Sequence, residues 1–171
     1  DPNLPVIFLD TRKLFGETHT YREKLVDHLG LTNIKIMRPD EEKLKAEDPN
    51  GMLFASDVAK CCYLRKVEPL QRALEGYDAW LTGRKRFHGG ERDALPVIEP
   101  AGSRIKINPL AGYKREDIED IFEHRALPRH PLEAEGFLSI GCMPCTERVD
   151  PNTTDVRAGR WAGQDKTECG I

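Results

Sequence analysis

The apolar residues near the N-terminus form an unbroken run rather than an alternating pattern. Leu4–Leu9 reads LPVIFL and is bounded by Pro2 and Asp10, which is typical of a strand buried on both faces. Two shorter apolar runs, Ile34–Met37 and Ala79–Thr82, predict further strands along the chain. We therefore expect Leu4–Leu9 to be a central strand of a parallel sheet.

Helical periodicity separates these strands. Thr18–Leu29 carries its apolar residues on one stripe and ends before Gly30, which predicts a helix with a glycine cap. Asp117–His124 shows the same periodicity nearer the C-terminus. The segment 40–55 is polar and contains Pro-Asn-Gly, so we interpret it as a loop with a turn.

A further helix is predicted to carry two adjacent cysteines. Ser56 is a suitable N-cap, and the helix that follows it would contain Cys61, Cys62 and Lys66. Pro69 lacks a backbone N–H, so we expect it to end this helix and to begin a second one as its first residue.

The order of the elements predicts the fold class. Leu95–Glu99 and Arg104–Asn108 flank a Pro-Ala-Gly-Ser turn and predict a hairpin, and the chain is rich in loops after Leu127. Strands that alternate with helices predict an α/β fold, with an open, mostly parallel sheet flanked by helices and an antiparallel edge. The 171 residues are consistent with a single domain, 1–171, with a loop-rich C-terminal tail.

Composition and charge exclude several classes of function. Apolar residues make up 39% of the chain and charged residues 32%, as in a globular protein, and no apolar run is long enough for a membrane span. The net charge of −3 gives no bulk attraction to nucleic acid. The five cysteines are an odd number, which favours reduced thiols in a cytoplasmic protein over a disulfide scaffold.

Four of the cysteines form two pairs that could hold a metal centre. Cys142 and Cys145 have the CxxC spacing, and Cys61 and Cys62 are adjacent. Four thiolates suit either a zinc ion or an iron–sulfur cluster. Adjacent cysteines are a poor zinc knuckle, whereas on a cluster each thiolate can bind a different iron, and a third interpretation is that Cys61 and Cys62 are small core residues.

The fifth cysteine has a different setting. Cys169 lies in Lys-Thr-Glu-Cys-Gly, close to the last residue of the sequence, where we expect an exposed and mobile thiol. An accessible thiol next to charged residues favours a role as a nucleophile or redox group.

Arginines cluster near both groups of cysteines. One cluster follows the strand Ala79–Thr82, and the second lies between the CxxC pair and Cys169. The first contains Arg84, Lys85, Arg86 and Arg92, and the second contains Arg148, Arg157 and Arg160. Guanidinium groups bind phosphate and sulfate oxygens in pairs, so the sequence favours an anionic substrate.

Taken together, these motifs resemble one known family along the whole chain. CCYLRKVEPL, TGRKR, SIGCMPCT, RAGRW and KTECGI occur in the order found in the iron–sulfur branch of the sulfonucleotide reductases, the assimilatory adenylylsulfate (APS) reductases. The resemblance implies an adenine nucleotide alpha hydrolase-like fold. It also implies that the segment 142–171 completes a cluster site and supplies a catalytic tail.

The resemblance assigns roles to particular residues. It implies a 4Fe–4S cluster on the two cysteine pairs and a nucleophilic Cys169 that carries an S-sulfonate intermediate. Lys66 would link the cluster to the substrate. The implied substrate contacts are Arg92, Arg157 and Arg160 for the phosphosulfate, and the backbone at Leu9 and Gly83 for the adenine side.

The implied reaction is the thioredoxin-dependent reduction of APS to sulfite and AMP in sulfate assimilation and cysteine biosynthesis. The four cluster cysteines point to APS as the substrate, and the alternatives are a phosphoadenylylsulfate (PAPS) reductase or a non-catalytic zinc or iron–sulfur module. The sequence leaves a homo-oligomer open.

The resemblance also carries an expectation about the N-terminus. Relatives have a Ser-Ser-Phe-Gly phosphate-binding loop, with its strand and helix, ahead of the segment that matches Leu4–Leu9. We therefore expect this chain to be N-terminally incomplete and to lack that nucleotide-loop unit.

Overall fold

Five short strands form two separate sheets within the part of the chain that the structure describes. The computed structural model describes residues 1–150, 152–164 and 166–171. β1 (Val6–Leu9) pairs in parallel with β2 (Ile34–Met37), with Val6 opposite Ile34. β3 (Ala79–Leu81), β4 (Ile98–Ala101) and β5 (Arg104–Ile107) make the second sheet in the order β3-β5-β4. The predicted α/β fold with mostly parallel strands is confirmed.

The prediction of a single sheet with a central first strand is wrong. β1 bonds only to β2 among the described residues, and Val6 is exposed. The apolar run had suggested partners on both edges, but the second edge of β1 instead lines a cavity. β5 is the central strand of the second sheet, parallel to β3 and antiparallel to β4.

The two helices predicted from periodicity are present and slightly longer than expected. α1 (Gly16–Leu29) begins two residues early and ends at Gly30, whose left-handed backbone (φ 61°) allows its N–H to bond back to the helix. Near the other end of the chain lies α6 (Arg115–His124), which begins two residues before the predicted start at Asp117. The segment 40–55, predicted as a loop, contains α2 (Glu41–Glu47) and begins α3 (Leu53–Ser56). Asp40 caps α2 by accepting a hydrogen bond from the Lys43 N–H. The residues at this helix start are polar, and for that reason the sequence resembled a loop.

The cysteine helix is continuous through Pro69, contrary to prediction. α4 (Val58–Cys62) is capped by Asp57 rather than Ser56, and a π-helical turn (Tyr63–Val67) joins it to α5 (Glu68–Ala73). Pro69 has no N–H and cannot donate a hydrogen bond to the carbonyl four residues earlier. The π-helical turn ahead of it uses i→i+5 hydrogen bonds, so the chain stays helical although this one bond is missing. α5 packs against β1 and β2, which fixes the cysteine helix beside the first sheet.

The last segment wraps over both sheets with little regular structure. The predicted hairpin is confirmed as β4 and β5, and after it the chain has only α6 and short 3₁₀ turns within the described residues. The buried apolar residues concentrate around the cysteine helix and this segment rather than between helices and sheet; they include Leu64, Leu74, Val156 and Trp161. None of the helices in the described parts of the chain has the length and apolar character that crossing a membrane requires.

Candidate active site

The two cysteine pairs, far apart in sequence, line one buried cavity. Cys61 and Cys62 lie in the last turn of α4, and Cys142 and Cys145 lie in the loop after the 3₁₀ turn Pro131–Glu135. All four side chains are buried, and none forms a disulfide. The other residues lining this cavity are Lys13, Phe54, Arg65, Lys66, Pro144 and Trp161.

Backbone hydrogen bonds attach the CxxC loop to the segment after β1. The Met143 N–H donates to the Lys13 carbonyl at 2.7 Å, next to a bridge between Leu14 and Cys142. The Thr11 hydroxyl lies 3.2 Å from the Cys142 sulfur. Thr11 is therefore a site residue, and its place at the carboxyl end of a strand is where α/β sheets carry ligand-binding loops.

A buried arginine supports the same cluster of thiols. Arg65 donates to the Thr11 carbonyl at 3.0 Å and to Asp48 at 2.5 Å, and both of its partners are buried. Burial raises the pKa of Cys61, and the charge of Arg65 one turn away opposes that rise. The i, i+4 spacing from Cys61 to Arg65 was visible in the sequence, but Asp48 lies in the segment predicted as a loop.

The spacing of the sulfurs bears on the kind of metal centre. Within residues 1–150, 152–164 and 166–171, no three His, Cys, Asp or Glu side chains converge closely enough to hold one metal ion. A tetrahedral zinc site brings its sulfurs within about 4 Å of each other, because each Zn–S bond is about 2.3 Å. Thiolates that each bind a different iron of a cluster are not required to meet at one ion.

Cys169 lies beside the cysteine pair rather than in solvent. Its sulfur accepts a hydrogen bond from Lys66 Nζ at 3.0 Å, and the side chain is half-buried. The expectation of an exposed thiol is therefore wrong, because the Cys169 side chain packs beside Cys62 and the buried Lys66. A hydrogen bond from Cys62 and the charge of Lys66 lower the pKa of Cys169 to about 5, against the opposing effect of burial.

Two of the three predicted substrate arginines bind the tail. Arg92 donates through Nε and Nη2 to the carboxylate of Glu168, the latter at 2.8 Å. Arg157 Nη2 lies 3.5 Å from the same carboxylate and donates to the Thr167 carbonyl at 2.6 Å. Burial would raise the pKa of Glu168, but the hydrogen bonds from Arg92 and the charge of Arg157 lower it. Glu168 is not among the residues that the sequence predicted for the site.

Arg160 lies between the CxxC loop and the tail. Its guanidinium stacks on the Trp161 ring at 4.4 Å and rests on Gly141, where a Cβ would come within 2.2 Å of it. Arg160 Nη2 and Trp161 Nε1 are both buried without a hydrogen-bond partner among the described residues. Two unpaired donors beside four thiols fit an added anionic group at this position.

The remaining arginines of the two predicted clusters serve other contacts. Arg86 donates to the Leu95 carbonyl at 2.8 Å, and Arg148 pairs with Glu135 on the surface at 2.7 Å. His88 Nδ1 lies 3.3 Å from Arg92 Nη1. Burial and the charges of Lys85, Arg92, Arg157 and Arg115 lower the pKa of His88 to about 4, so it is neutral near pH 7.

An open cavity of about 590 Å³ separates the two sheets and joins the predicted substrate residues. β1 lines one wall, including Leu9, and β3 with Gly83 lines the other. The cavity is also lined by Arg92, Arg157, Arg160 and Cys169. The structure thus brings all the predicted substrate contacts to one cavity except Lys66, which reaches it through Cys169.

Comparison with known proteins settles the family. The sequence profile of the phosphoadenosine phosphosulfate reductase domain matches residues 1–148. The chain belongs to this family. The expected resemblance is confirmed at this level, and the match ends shortly after the CxxC pair.

Curated members of the phosphoadenosine phosphosulfate reductase family are similar over the whole chain. The adenosine 5'-phosphosulfate reductase of Mesorhizobium japonicum is 54% identical over 171 residues, which is 100% of this chain and 67% of the relative. The enzyme of the same name from Chelativorans sp. is 51% identical over 171 residues and is covered to 69%. The chain therefore corresponds to about two thirds of these relatives.

Solved structures agree with this family assignment. The phosphoadenylyl-sulfate reductase of Candida auris, solved as a phosphate complex, superposes with a TM-score of 0.67 at 32% identity, over 82% of this chain and 71% of that one. The FMN adenylyltransferase of Candida glabrata superposes with a TM-score of 0.59 at 16% identity, over 88% of this chain and 49% of that one. This second likeness concerns the fold alone.

Proposed function

We propose that this protein reduces adenylylsulfate to sulfite and AMP, with Cys169 as the nucleophile and thioredoxin as the electron donor. The observation that carries the proposal is the position of Cys169. Its sulfur lies 3.0 Å from Lys66 Nζ, and the residue lines the cavity between the sheets together with several arginines. A family relative with 54% identity bears the name of this activity.

In the first half of the reaction, the Cys169 thiolate attacks the sulfur of adenylylsulfate. A bond forms between the two sulfurs, the bond from that sulfur to the bridging oxygen breaks, and AMP leaves with the electron pair. The cysteine then carries an S-sulfonate. Lys66 and Arg160 would stabilise the thiolate before attack and the negative charge that develops on the departing phosphate.

In the second half, a thiolate of thioredoxin attacks the Cys169 sulfur. Sulfite departs with the electrons of the sulfur–sulfur bond, and a mixed disulfide forms. The second thiol of thioredoxin resolves that disulfide and restores the Cys169 thiol. The dithiol of thioredoxin thus supplies both electrons, and the tail must present the same sulfur first to the substrate and then to a protein.

Cys61, Cys62, Cys142 and Cys145 would hold a 4Fe–4S cluster. The buried donor set and the unpaired donors of Arg160 and Trp161 support this assignment. When bound, the cluster would supply fixed charge and rigidity next to Lys66 rather than electrons. Lys66 is buried, and the neighbouring sulfurs raise its pKa against the effect of burial, so it remains a cation between Cys169 and the cysteine pairs.

The substrate would enter the cavity between the sheets. We assign its phosphosulfate to Arg92, Arg157 and Arg160, and its adenine side to the backbone around Leu9 and Gly83. The protein would act in the cytoplasm, in sulfate assimilation. Its partners would be adenylylsulfate and thioredoxin, without nucleic acid or membrane.

Trapping of the intermediate tests the proposal. Anaerobic protein incubated with adenylylsulfate, without thioredoxin, should release AMP and gain one sulfonate group on the peptide that contains Cys169, as seen by mass spectrometry. Cys169→Ser should abolish the adduct, while the neighbouring Thr167→Ser keeps the thiol and should retain it. Sulfonation of the Cys169→Ser protein would refute the assignment of the nucleophile.

The phosphorylated nucleotide remains the second candidate substrate, because the similar Candida auris structure is named a phosphoadenylyl-sulfate reductase. Parallel assays with adenylylsulfate and its 3'-phosphorylated form decide between them, and a preference for the first by at least tenfold supports the proposal. Iron and acid-labile sulfide analysis separates both enzymes from a zinc module, which would be colourless and would form no adduct.

A further inference from the structure

The anion seat formed by Arg92 and Arg157 is already filled by a carboxylate of the chain itself. Glu168 makes two hydrogen bonds to one edge of the Arg92 guanidinium, through Nε and Nη2. The third nitrogen, Nη1, faces His88 at 3.3 Å. The Nε and Nη2 edge of Arg92 is therefore occupied before any substrate arrives.

Arg157 is engaged by the same part of the tail. Its Nη2 donates to the Thr167 carbonyl at 2.6 Å and lies 3.5 Å from Glu168. Both guanidinium groups and the Glu168 side chain are largely shielded, with exposures of 12%, 14% and 19%. A tetrahedral oxyanion that uses the Nε and Nη2 edge of Arg92 would occupy the position of the Glu168 carboxylate.

We propose that Glu168 is an internal competitor for the oxyanion of the substrate, which must displace it from Arg92 and Arg157 and thereby releases the tail that carries Cys169. The inference rests on the proposed function, because it takes these arginines as the seat of the phosphosulfate. Glu168 is a positioning residue in this scheme, since it acts on the adjacent Cys169 through the backbone.

Tethering makes the competition effective. A carboxylate on the same chain acts at a high local concentration, so Glu168 occupies Arg92 and Arg157 in most molecules. A free anion binds only to the fraction of molecules in which these arginines are unoccupied, and its apparent affinity is reduced in proportion to that fraction. The reverse also holds by linkage: an anion that fills the seat must loosen the tail to the same extent. The nucleophile would thus stay beside Lys66 until an anion arrives, and gain freedom of movement when one binds.

The test uses inorganic phosphate as the probe and Cys169 alkylation as the readout. In anaerobic wild-type protein at constant ionic strength, phosphate should accelerate the reaction of Cys169 with iodoacetamide, followed by peptide mass spectrometry. Glu168→Gln removes the charge but keeps the size. It should react about tenfold faster without phosphate and bind phosphate about tenfold more tightly by calorimetry, since a hydrogen bond to a charged group is lost. Phosphate should then add little further acceleration.

Two further variants control for size and charge. Glu168→Asp keeps the charge on a shorter side chain and should lie between the wild type and Glu168→Gln. Glu135→Gln removes an equivalent carboxylate from an exposed ion pair with Arg148, and should behave as the wild type. Circular dichroism should show the same fold for all of them.

The outcomes separate this inference from the proposed function. Unchanged phosphate affinity and unchanged Cys169 alkylation in Glu168→Gln, with normal sulfonation by adenylylsulfate, would overturn the inference and leave the proposed function intact. Wild-type protein that shows the phosphate effect but forms no S-sulfonate would support the competition and overturn the proposed reaction.

Discussion

At the scale of single residues, contacts between side chains that are distant in sequence hold the site together. The CxxC spacing and the adjacent pair identify the four thiols that come together, because cysteine is rare and its spacing reflects its chemistry. The half-buried position of Cys169 could not be predicted, since it depends on Lys66, which is 103 residues away in sequence. Glu168 was missed for the same reason, because its partner Arg92 is 76 residues away.

Replacement of Lys66 by methionine should slow formation of the S-sulfonate by about a hundredfold, because the variant loses the cation that stabilises the thiolate and the leaving group. Quenched-flow measurement of the adduct under anaerobic conditions gives the rate, and Lys66→Arg should recover part of it. Lys60→Met provides a matched control, since Lys60 lies on the same helix and pairs with Glu47 on the surface. An unaltered rate in Lys66→Met would remove Lys66 from the mechanism.

The buried ion pair between Asp48 and Arg65 predicts a dependence of stability on pH. Asp48→Asn leaves the charge of Arg65 buried and should lower the free energy of unfolding by about 3 kcal/mol at pH 7. Burial would raise the pKa of Asp48, but the hydrogen bond from Arg65 brings it below the usual value. The ionised Asp48 therefore stabilises the fold above pH about 4, and this contribution disappears as pH falls through the lower pKa of the folded state.

Urea unfolding of both proteins at several pH values measures this effect, and the difference between them should shrink toward acid pH. Glu41→Gln is the control, because its ion pair with Arg12 is exposed and should contribute less than about 1 kcal/mol. A constant difference from pH 7 to pH 3 would contradict the assignment.

At the scale of elements, periodicity located the strands and the amphipathic helices, and it failed where polar chemistry decides. β2 has the predicted bounds, Ile34–Met37. The helix Glu41–Glu47 has almost no apolar face, so the periodicity of its apolar residues gives no helical signal. The N-cap at Asp40 marks its start instead. The effect of Pro69 was misjudged because the lost hydrogen bond is absorbed by the π-helical turn Tyr63–Val67, a tertiary solution that no local pattern shows.

The loop segments that contain Glu147 and Gly159 are packed so closely that adding one methyl group at Gly159 should destabilise the fold. A Cβ at Gly159 would lie 2.2 Å from the Glu147 carbonyl oxygen, which belongs to the backbone and cannot rotate away. Gly159→Ala should therefore lower the free energy of unfolding by about 1–3 kcal/mol. Gly112→Ala, where nothing lies within 4 Å of the added carbon, should change it by less than about 0.5 kcal/mol. Equal stabilities of the two variants in urea would contradict the prediction.

At the scale of the whole molecule, the strand pairing was the least predictable feature. The apolar run Leu4–Leu9 correctly indicated a strand, but which edges pair is a property of several distant segments. The four thiols join the cysteine helix beside the first sheet to the loop after α6. A metal centre there would cross-link two parts of the chain that are about 80 residues apart in sequence.

Under the proposed function, loss of iron should therefore destabilise the protein as well as inactivate it. Cys145→Ser should abolish iron binding and lower the melting temperature by at least about 5 °C, since each kcal/mol is worth about 2–4 °C in a chain of this size. Cys169→Ser should keep its iron and sulfide and melt close to the wild type. Thermal unfolding and metal analysis of the same anaerobic samples check both expectations, and retention of iron in Cys145→Ser would contradict the ligand assignment.

The three ties of the tail have a mechanical consequence for the two sheets. Cys169 contacts Lys66 on the cysteine helix, Glu168 contacts Arg92 after β3, and the Ile171 carbonyl accepts from Lys106 on β5 at 3.1 Å. The tail thus connects the two sides of the cavity, in addition to carrying the reactive thiol. A partner that pulls Cys169 outward would break these three contacts. The sulfur would then become accessible in the same movement that allows the cavity to widen.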